Sequence, residues 1–62
     1  MPREFDYSFG GRIKNRRLIL GFTQQYCAYE CKVSERSWIK WEVGKATPLR
    51  VHRDKVLDFL GI

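Results

Sequence analysis

Apolar residues recur at helical spacing along most of this chain, with polar and charged residues at the positions between them. Near the start, Ile13 and Leu20 share one face, and near the end Val56, Leu57 and Leu60 form a second apolar stripe. An α-helix has 3.6 residues per turn, so this spacing predicts helices that each bury one face. The pattern is typical of a small all-α protein.

Two shorter stripes lie between these segments. Cys27, Ala28 and Cys31 form one of them, and Trp38 and Trp41 form the other. We expect two short helices that turn these side chains inward, with Val33 in a tight turn between them.

Capping residues and glycines mark where the predicted helices begin and end. Serine and threonine accept a hydrogen bond at a helix start, and glycine tolerates the left-handed backbone of a helix end. The predicted helices span residues 9–20, 23–31 and 34–43, with a fourth that begins at residues 47–48. The marking residues are Ser8, Thr23, Ser34 and Thr47 at the starts, Gly21 and Gly44 at the ends, and Pro48 at the first position of the fourth helix. We therefore expect a compact bundle of four to five helices.

Residues 1–8 are expected to form an arm ahead of a single domain at residues 9–62. Phe5, Tyr7 and Phe9 alternate with other residues, a period of two that suits an extended segment with one apolar side. The rings either pack on the domain's own helices, or the arm forms a dimer contact or touches DNA.

Length and composition limit what the chain can be. Its 62 residues, 44% apolar and 15% aromatic, suffice for one small core. No apolar run approaches the roughly 18 residues of a membrane helix and no signal-peptide pattern is present, so we expect a soluble cytoplasmic protein without membrane contact. Cys27 and Cys31 cannot bridge along one helix face without strain. Together with His52 they fall short of the four ligands of a structural zinc site, so we predict buried thiols, no metal and no cofactor.

Catalysis finds little support in the residue types present. The chain has one histidine, no paired carboxylates beside it and no glycine-rich phosphate loop. We predict that it is not an enzyme and has no small-molecule substrate.

The charge balance favours a polyanionic partner. Twelve lysines and arginines stand against seven acidic residues, a net charge of +5. The first predicted helix carries a basic cluster of Arg12, Lys14, Arg16 and Arg17. Charge alone also fits a merely solvated surface. The third predicted helix, however, leaves a polar face that would fit the major groove of DNA, so the two central helices predict a helix-turn-helix.

Several residues carry a family resemblance. Thr23-Gln24 open the second helix, Ala28 lies near its middle, Val33-Ser34 form the turn, Trp41-Glu42-x-Gly44-Lys45 close the third helix and Pro48 begins the next. The pattern continues upstream through residues 12–21 and downstream to Phe59-Leu60-Gly61-Ile62, so it covers roughly residues 9–62. In these features the chain resembles the phage-repressor/Cro type of helix-turn-helix domain, which is lambda-repressor-like and also called XRE-like. The resemblance implies a sequence-specific double-stranded DNA-binding regulator of prokaryotic or phage type, with repression as the expected effect.

By position, the resemblance also implies which residues would contact DNA. The implied base contacts are Ser34, Glu35, Arg36, Ser37 and Lys40. Arginine can pair with guanine through two hydrogen bonds, whereas glutamate either accepts from cytosine or weakens general affinity through repulsion. For phosphate contacts, the resemblance implies Gln24, and charge or position suggests Arg12, Arg16, Lys45, Thr47 and Arg50. Solvated polar groups are the alternative for this second set.

The resemblance further implies a partly buried ion pair between Arg17 and Glu42, with a role in stability. Two residues depart from the family pattern. Lys32 stands where a glycine would adopt a left-handed backbone, at a cost of about 1 kcal/mol. Ile39 stands at a usually polar position beside the reading face, where it contacts either a thymine methyl group or a protein partner.

We therefore expect a transcriptional regulator that binds a palindromic operator, with a homodimer as one possible state. A second hypothesis is a protein-interaction module on the same fold, such as an anti-repressor, an antitoxin or a polymerase-contacting factor, which would use Glu35, Ile39 and the arm. A third is an architectural or recombination accessory protein, which strong DNA bending would reveal.

Overall fold

The computed structural model describes residues 9–62, and over this range the protein contains four α-helices and no strands. The helices are α1 (Phe9–Leu20), α2 (Gln24–Cys31), α3 (Glu35–Val43) and α4 (Arg50–Leu60). The first three agree with the predicted bounds to within one residue. The predicted arm and the Ser8 cap lie outside the described residues. Of the helices in residues 9–62, none has the length and apolar character needed to cross a membrane.

The predicted caps of α2 and α3 are confirmed. The Thr23 hydroxyl accepts from the Tyr26 N–H at 3.0 Å, and the Ser34 hydroxyl accepts from the Ser37 N–H at 3.0 Å. At the end of α2, Lys32 adopts the left-handed backbone with φ 60°, as its position predicted. Within residues 9–62 it is the one non-glycine residue with positive φ. The connection between α2 and α3 is therefore fixed at one end by the left-handed backbone of Lys32 and at the other by the Ser34 cap.

The fourth helix begins later than predicted. Thr47 and Pro48, expected as cap and first helical residue, lie in an irregular connection, and α4 begins at Arg50. Leu49 precedes it with an extended backbone and makes no side-chain capping hydrogen bond. Because Pro48 is buried, tertiary burial of its ring, and not its preference for a first helical turn, decides where it lies.

The core lies where the four helices meet, with α3 and α4 each packed against both α1 and α2. The predicted inward stripes are confirmed except at Leu20, which is 37% exposed at the last position of α1, and at Leu57, which is only partly buried. The buried apolar residues are Ile13, Cys27, Ala28, Cys31, Trp38, Trp41, Val56 and Leu60. Both cysteines are free thiols. Burial raises the pKa of Cys27 to about 11 and also raises that of Cys31. The thiols therefore stay protonated at neutral pH and pack as small apolar groups.

A close approach of two helices depends on Gly10. A Cβ at this position would lie 2.2 Å from the carbonyl oxygen of Trp41 and 2.9 Å from that of Glu42. Glycine inside a helix costs up to about 1 kcal/mol relative to alanine. At Gly10 the missing side chain allows α1 to pack directly on the C-terminal end of α3, which a larger residue would prevent.

Candidate nucleic-acid interface

The inner side of α3 is held by a buried network centred on Glu42. Its Oε2 accepts from Arg17 Nε at 2.6 Å and from Trp38 Nε1 at 2.6 Å. Its Oε1 accepts from Arg17 Nη2 at 3.1 Å and from Gln24 Nε2 at 3.0 Å. The predicted ion pair between Arg17 and Glu42 is thus present. The carboxylate joins residues of α1, α2 and α3 at one point.

The electrostatics of this network keep both partners charged. Arg17 is 8% exposed and Glu42 is 5% exposed. Burial by itself would raise the pKa of Glu42, but hydrogen bonds from Arg17, Trp38 and Gln24 outweigh it and hold that pKa below its ordinary value. The hydrogen bond to Glu42 raises the pKa of Arg17. Among the described residues, no buried side-chain polar atom lacks a hydrogen-bond partner.

Arg17 also fixes the path of the chain between the first two helices. Its Nη1 donates to the backbone carbonyl of Phe22 at 3.0 Å. The Phe22 ring in turn packs against Tyr26 and Phe59, with centroid distances of 4.8 and 5.7 Å. The start of α2 is therefore positioned by both the polar network and an aromatic cluster.

The outer side of α3 presents a shallow depression that contains most of the predicted base contacts. It is lined by Glu35, Arg36, Ile39, Lys40, Val43 and Lys45. Three cationic side chains and one carboxylate give this surface an excess of positive charge. Arg36, Lys40 and Lys45 are exposed, and their side chains make no hydrogen bond or ion pair within residues 9–62. These groups are available to a ligand.

The two serines at the start of α3 are partly committed to the helix itself. The Ser34 hydroxyl accepts from the Ser37 backbone N–H and donates to the Ser37 hydroxyl, both at 3.0 Å. Ser34 is exposed and Ser37 is half-buried. The hydroxyl proton of Ser37 remains available, whereas Ser34 acts first as the cap.

The predicted phosphate contacts do not all lie together. Lys45 lines the α3 depression, but Arg12 and Arg16 lie in a second depression with Asn15, Ile19 and Ile62, and the two share no residue. Arg16 Nε donates to the carbonyl of Leu60 at 2.8 Å. Arg16 therefore satisfies a free carbonyl at the end of α4, a structural role that the sequence analysis missed.

The remaining predicted phosphate contacts lie at helix starts and in the last connection. Thr47 and Arg50 are exposed, the first between α3 and α4 and the second at the first position of α4. Gln24 is the first residue of α2, and its side-chain amide is engaged with Glu42. No helical carbonyl can satisfy the first N–H groups of α2. Thr23 caps that of Tyr26, whereas those of Gln24 and Gln25 have no partner within residues 9–62.

Three features of the site were not predicted from the sequence: the Trp38 indole N–H as a donor to Glu42, the Gln24 amide as a donor to Glu42, and Val43 in the outer depression. The contact between Trp38 and Glu42 could have been predicted, because residues four apart on a helix are neighbours. Val43 follows Ile39 at the same spacing. The Gln24 contact joins residues 18 apart in sequence, and no local pattern indicates it.

Comparisons of the chain with protein-family models, with characterised proteins and with solved structures give no significant match.

Proposed function

We propose that this chain is a sequence-specific double-stranded DNA-binding domain, in which α2 and α3 act as a helix-turn-helix of lambda-repressor-like type. Its role would be transcriptional regulation in the cytoplasm, with repression as the expected effect. The observation that carries this proposal is the outer face of α3. It offers exposed cationic and polar side chains on a helix whose inner face is fixed by a buried network.

The dimensions and rigidity of α3 support this assignment. A helix with its side chains is about 10–12 Å wide, and the major groove of B-DNA is about 12 Å wide. Sequence discrimination needs donors that are held in place before the ligand arrives. Glu42 supplies that support from behind, because three of its four hydrogen bonds, two from Arg17 and one from Gln24, anchor α3 to both preceding helices.

In this proposal the side chains at the start of α3 read the bases. Arg36 would donate two hydrogen bonds to guanine, and Lys40 would reach a neighbouring acceptor. Ser37 has a hydroxyl proton available, while Ser34 would add a contact beyond its capping role. Glu35 would accept from a cytosine amino group, and its carboxylate would oppose placement directly against a phosphate.

Phosphate contacts would set the position of the domain on the duplex. The free N–H groups and the positive dipole end of α2 suit a phosphate oxygen, so at Gln24 we assign this contact to the backbone, because the side chain is occupied by Glu42. Lys45 lies beside the reading face, and Thr47 and Arg50 would extend the contact along the backbone. Arg12 and Arg16 would serve a more distant phosphate. Such contacts contribute affinity without sequence information.

Two copies of the chain on half-sites about one helical turn apart, ~34 Å, would produce a palindromic operator. Homodimerisation is part of the proposal, because one short helix reads too few base pairs to find a unique site in a genome.

The test is selection from a library of randomised duplexes at near-physiological salt, followed by titration of the enriched duplex at several salt concentrations. We expect an enriched palindrome and an affinity that falls steeply with salt, because each phosphate contact releases counterions. An enriched single half-site would support specific binding but exclude the dimer under those conditions. Absence of any enriched sequence would refute the proposal.

A protein-interaction module is the second candidate, and one observation favours it. Ile19 is 72% exposed and Ile62 is 44% exposed, and both line the depression that contains Arg12 and Arg16 and no residue of α3. Adjacent exposed apolar side chains are typical of protein contacts. If no duplex is enriched, this surface becomes the first place to seek a partner. Retained DNA binding in an Ile19→Ala variant would separate the two surfaces.

A further inference from the structure

Two branched apolar side chains lie on the exposed face of α3, among its charged residues. Ile39 is 38% exposed and Val43 is 62% exposed. Both line the depression that also contains Arg36, Lys40 and Lys45. Residues four apart lie on one face of a helix, one turn from each other. Ile39 and Val43 therefore form a short apolar strip within a cationic surface.

We infer that this strip contacts thymine methyl groups in the major groove, so that Ile39 and Val43 select thymine next to the bases read by Arg36. The inference rests on the proposed function and adds the chemistry of its specificity. Thymine is the base that presents a methyl group in the major groove, and apolar side chains recognise it by contact. Surrounding cations complement the phosphates that border the same groove.

The charge around the strip favours duplex DNA as the occupant. Arg36, Lys40 and Lys45 outnumber the single carboxylate of Glu35 in this depression. Burying the strip against an apolar protein surface would also take these unpaired cations out of water, which is costly without matching anions. In the major groove, phosphates can neutralise the cations while the methyl groups meet the apolar side chains.

The spacing of the strip restricts where the methyl groups lie. Four residues of an α-helix rise about 6 Å, and two base-pair steps of B-DNA rise about 7 Å. A helix lying along the groove would therefore place Ile39 and Val43 against methyl groups no more than two base-pair steps apart. We expect the preferred sequence to contain thymine at one or two such positions.

The experiment replaces each thymine of the enriched duplex in turn by deoxyuridine, which removes the methyl group and nothing else. Dissociation constants are measured by fluorescence anisotropy for the full chain. We expect an approximately four-fold loss of affinity for each contacted methyl group, the equivalent of ~0.8 kcal/mol. At other thymines the affinity should stay unchanged.

Variants then assign the effect to the strip. Ile39→Ala should bind the thymine and deoxyuridine duplexes equally at one position, and Val43→Ala should do so at the other. Leu18→Ala is the matched control, because Leu18 is 56% exposed on α1 and lines neither depression. The Leu18→Ala variant should keep the full difference in affinity between the thymine and deoxyuridine duplexes. Circular dichroism establishes that each variant is folded.

The outcomes separate this inference from the function on which it rests. If a duplex is enriched but no thymine position responds to deoxyuridine, the strip does not read methyl groups, although specific DNA binding stands. The inference also fails if Ile39→Ala and Val43→Ala keep the wild-type difference. If no duplex is enriched, both the proposed function and this inference fail.

Discussion

On the inner side of α3, Glu42 is 5% exposed and accepts four hydrogen bonds from three residues. On the outer side of the same nine-residue helix, Arg36 and Lys40 are exposed and have no polar partner in the described part of the chain. One helix therefore carries a buried charge with protein partners on one face and, on the other, exposed charges without protein partners among residues 9–62.

The physical chemistry of the two faces differs accordingly. A buried charge is tolerated only when a partner and further hydrogen bonds replace its water, so the inner face is tied to stability. An exposed charge keeps its water and contributes little to folding. The side chains of the outer face can therefore be suited to a ligand without destabilising the fold. If this division is correct, substitutions on the two faces should affect different measurements.

The largest effect is expected from Glu42→Ala. Removing the carboxylate leaves Arg17 buried without its partner and the Trp38 and Gln24 donors unsatisfied. We expect the free energy of unfolding to fall by about 3–5 kcal/mol in urea titrations followed by circular dichroism. Glu30→Ala, an exposed carboxylate on α2, should change it by no more than about 0.5 kcal/mol. A loss below about 1 kcal/mol for Glu42→Ala would refute the central role of the network.

Gly10→Ala should be the next most damaging change to the inner side. The new Cβ would clash with backbone carbonyl oxygens at the end of α3, and we expect a loss of about 1–3 kcal/mol in the same titrations. Asn15→Ala, at an exposed position of α1, should be neutral or slightly stabilising because alanine favours helix. Stabilisation by Gly10→Ala would show that helix propensity outweighs the close contact.

Arg36→Ala tests the outer face. We expect a loss of about 1–3 kcal/mol in binding to the enriched duplex and a relaxed preference at one base pair. The free energy of unfolding should stay within about 0.5 kcal/mol of the wild type. Arg53→Ala removes an exposed arginine of α4 outside the depression and serves as the control. An equal loss on all sequences would instead assign Arg36 to the DNA backbone.

The smallest expected effect is on how the free energy of unfolding depends on pH. The network lowers the pKa of Glu42 below its unfolded value, which is about 4.3 for glutamate. This contribution to stability is therefore complete above the unfolded pKa and is lost as the pH falls through the folded pKa. Unfolding titrations from pH 7 down to pH ~2 should show a weaker acid dependence for Glu42→Gln than for the wild type. Glu30→Gln should keep the wild-type slope, and identical slopes for all three would contradict the assignment.

Sequence reasoning succeeded where the determinants are local. Thr23 and Ser34 cap the helices that they were predicted to cap, because the hydroxyl reaches an N–H three residues on. The apolar stripes also identified the buried faces of α2, α3 and α4, since burial follows helical periodicity. On α1 the prediction was correct for Ile13 but wrong for Leu20, which is exposed. Local preference was wrong at Thr47 and Pro48, where burial of the proline delays the start of α4.

The candidate site divides in the same way. The residues of the α3 surface follow from one helix and its spacing, so the sequence could indicate Glu35, Arg36 and Lys40 together. It could not indicate that the Arg16 side chain donates a hydrogen bond to the carbonyl of Leu60, 44 residues away. The position of Arg12 and Arg16 in a depression separate from α3 likewise depends on how α1 and α4 pack.

By itself, the sequence determined the helical class of this protein, the bounds of its first three helices and the polar face of α3. These depend on interactions within a few residues, which a pattern records directly. The tertiary structure alone decided the network around Glu42, the close approach at Gly10 and the hydrogen bond from Arg16 to Leu60. These arise when distant segments share one small volume, where every buried polar group needs a partner and every atom needs space.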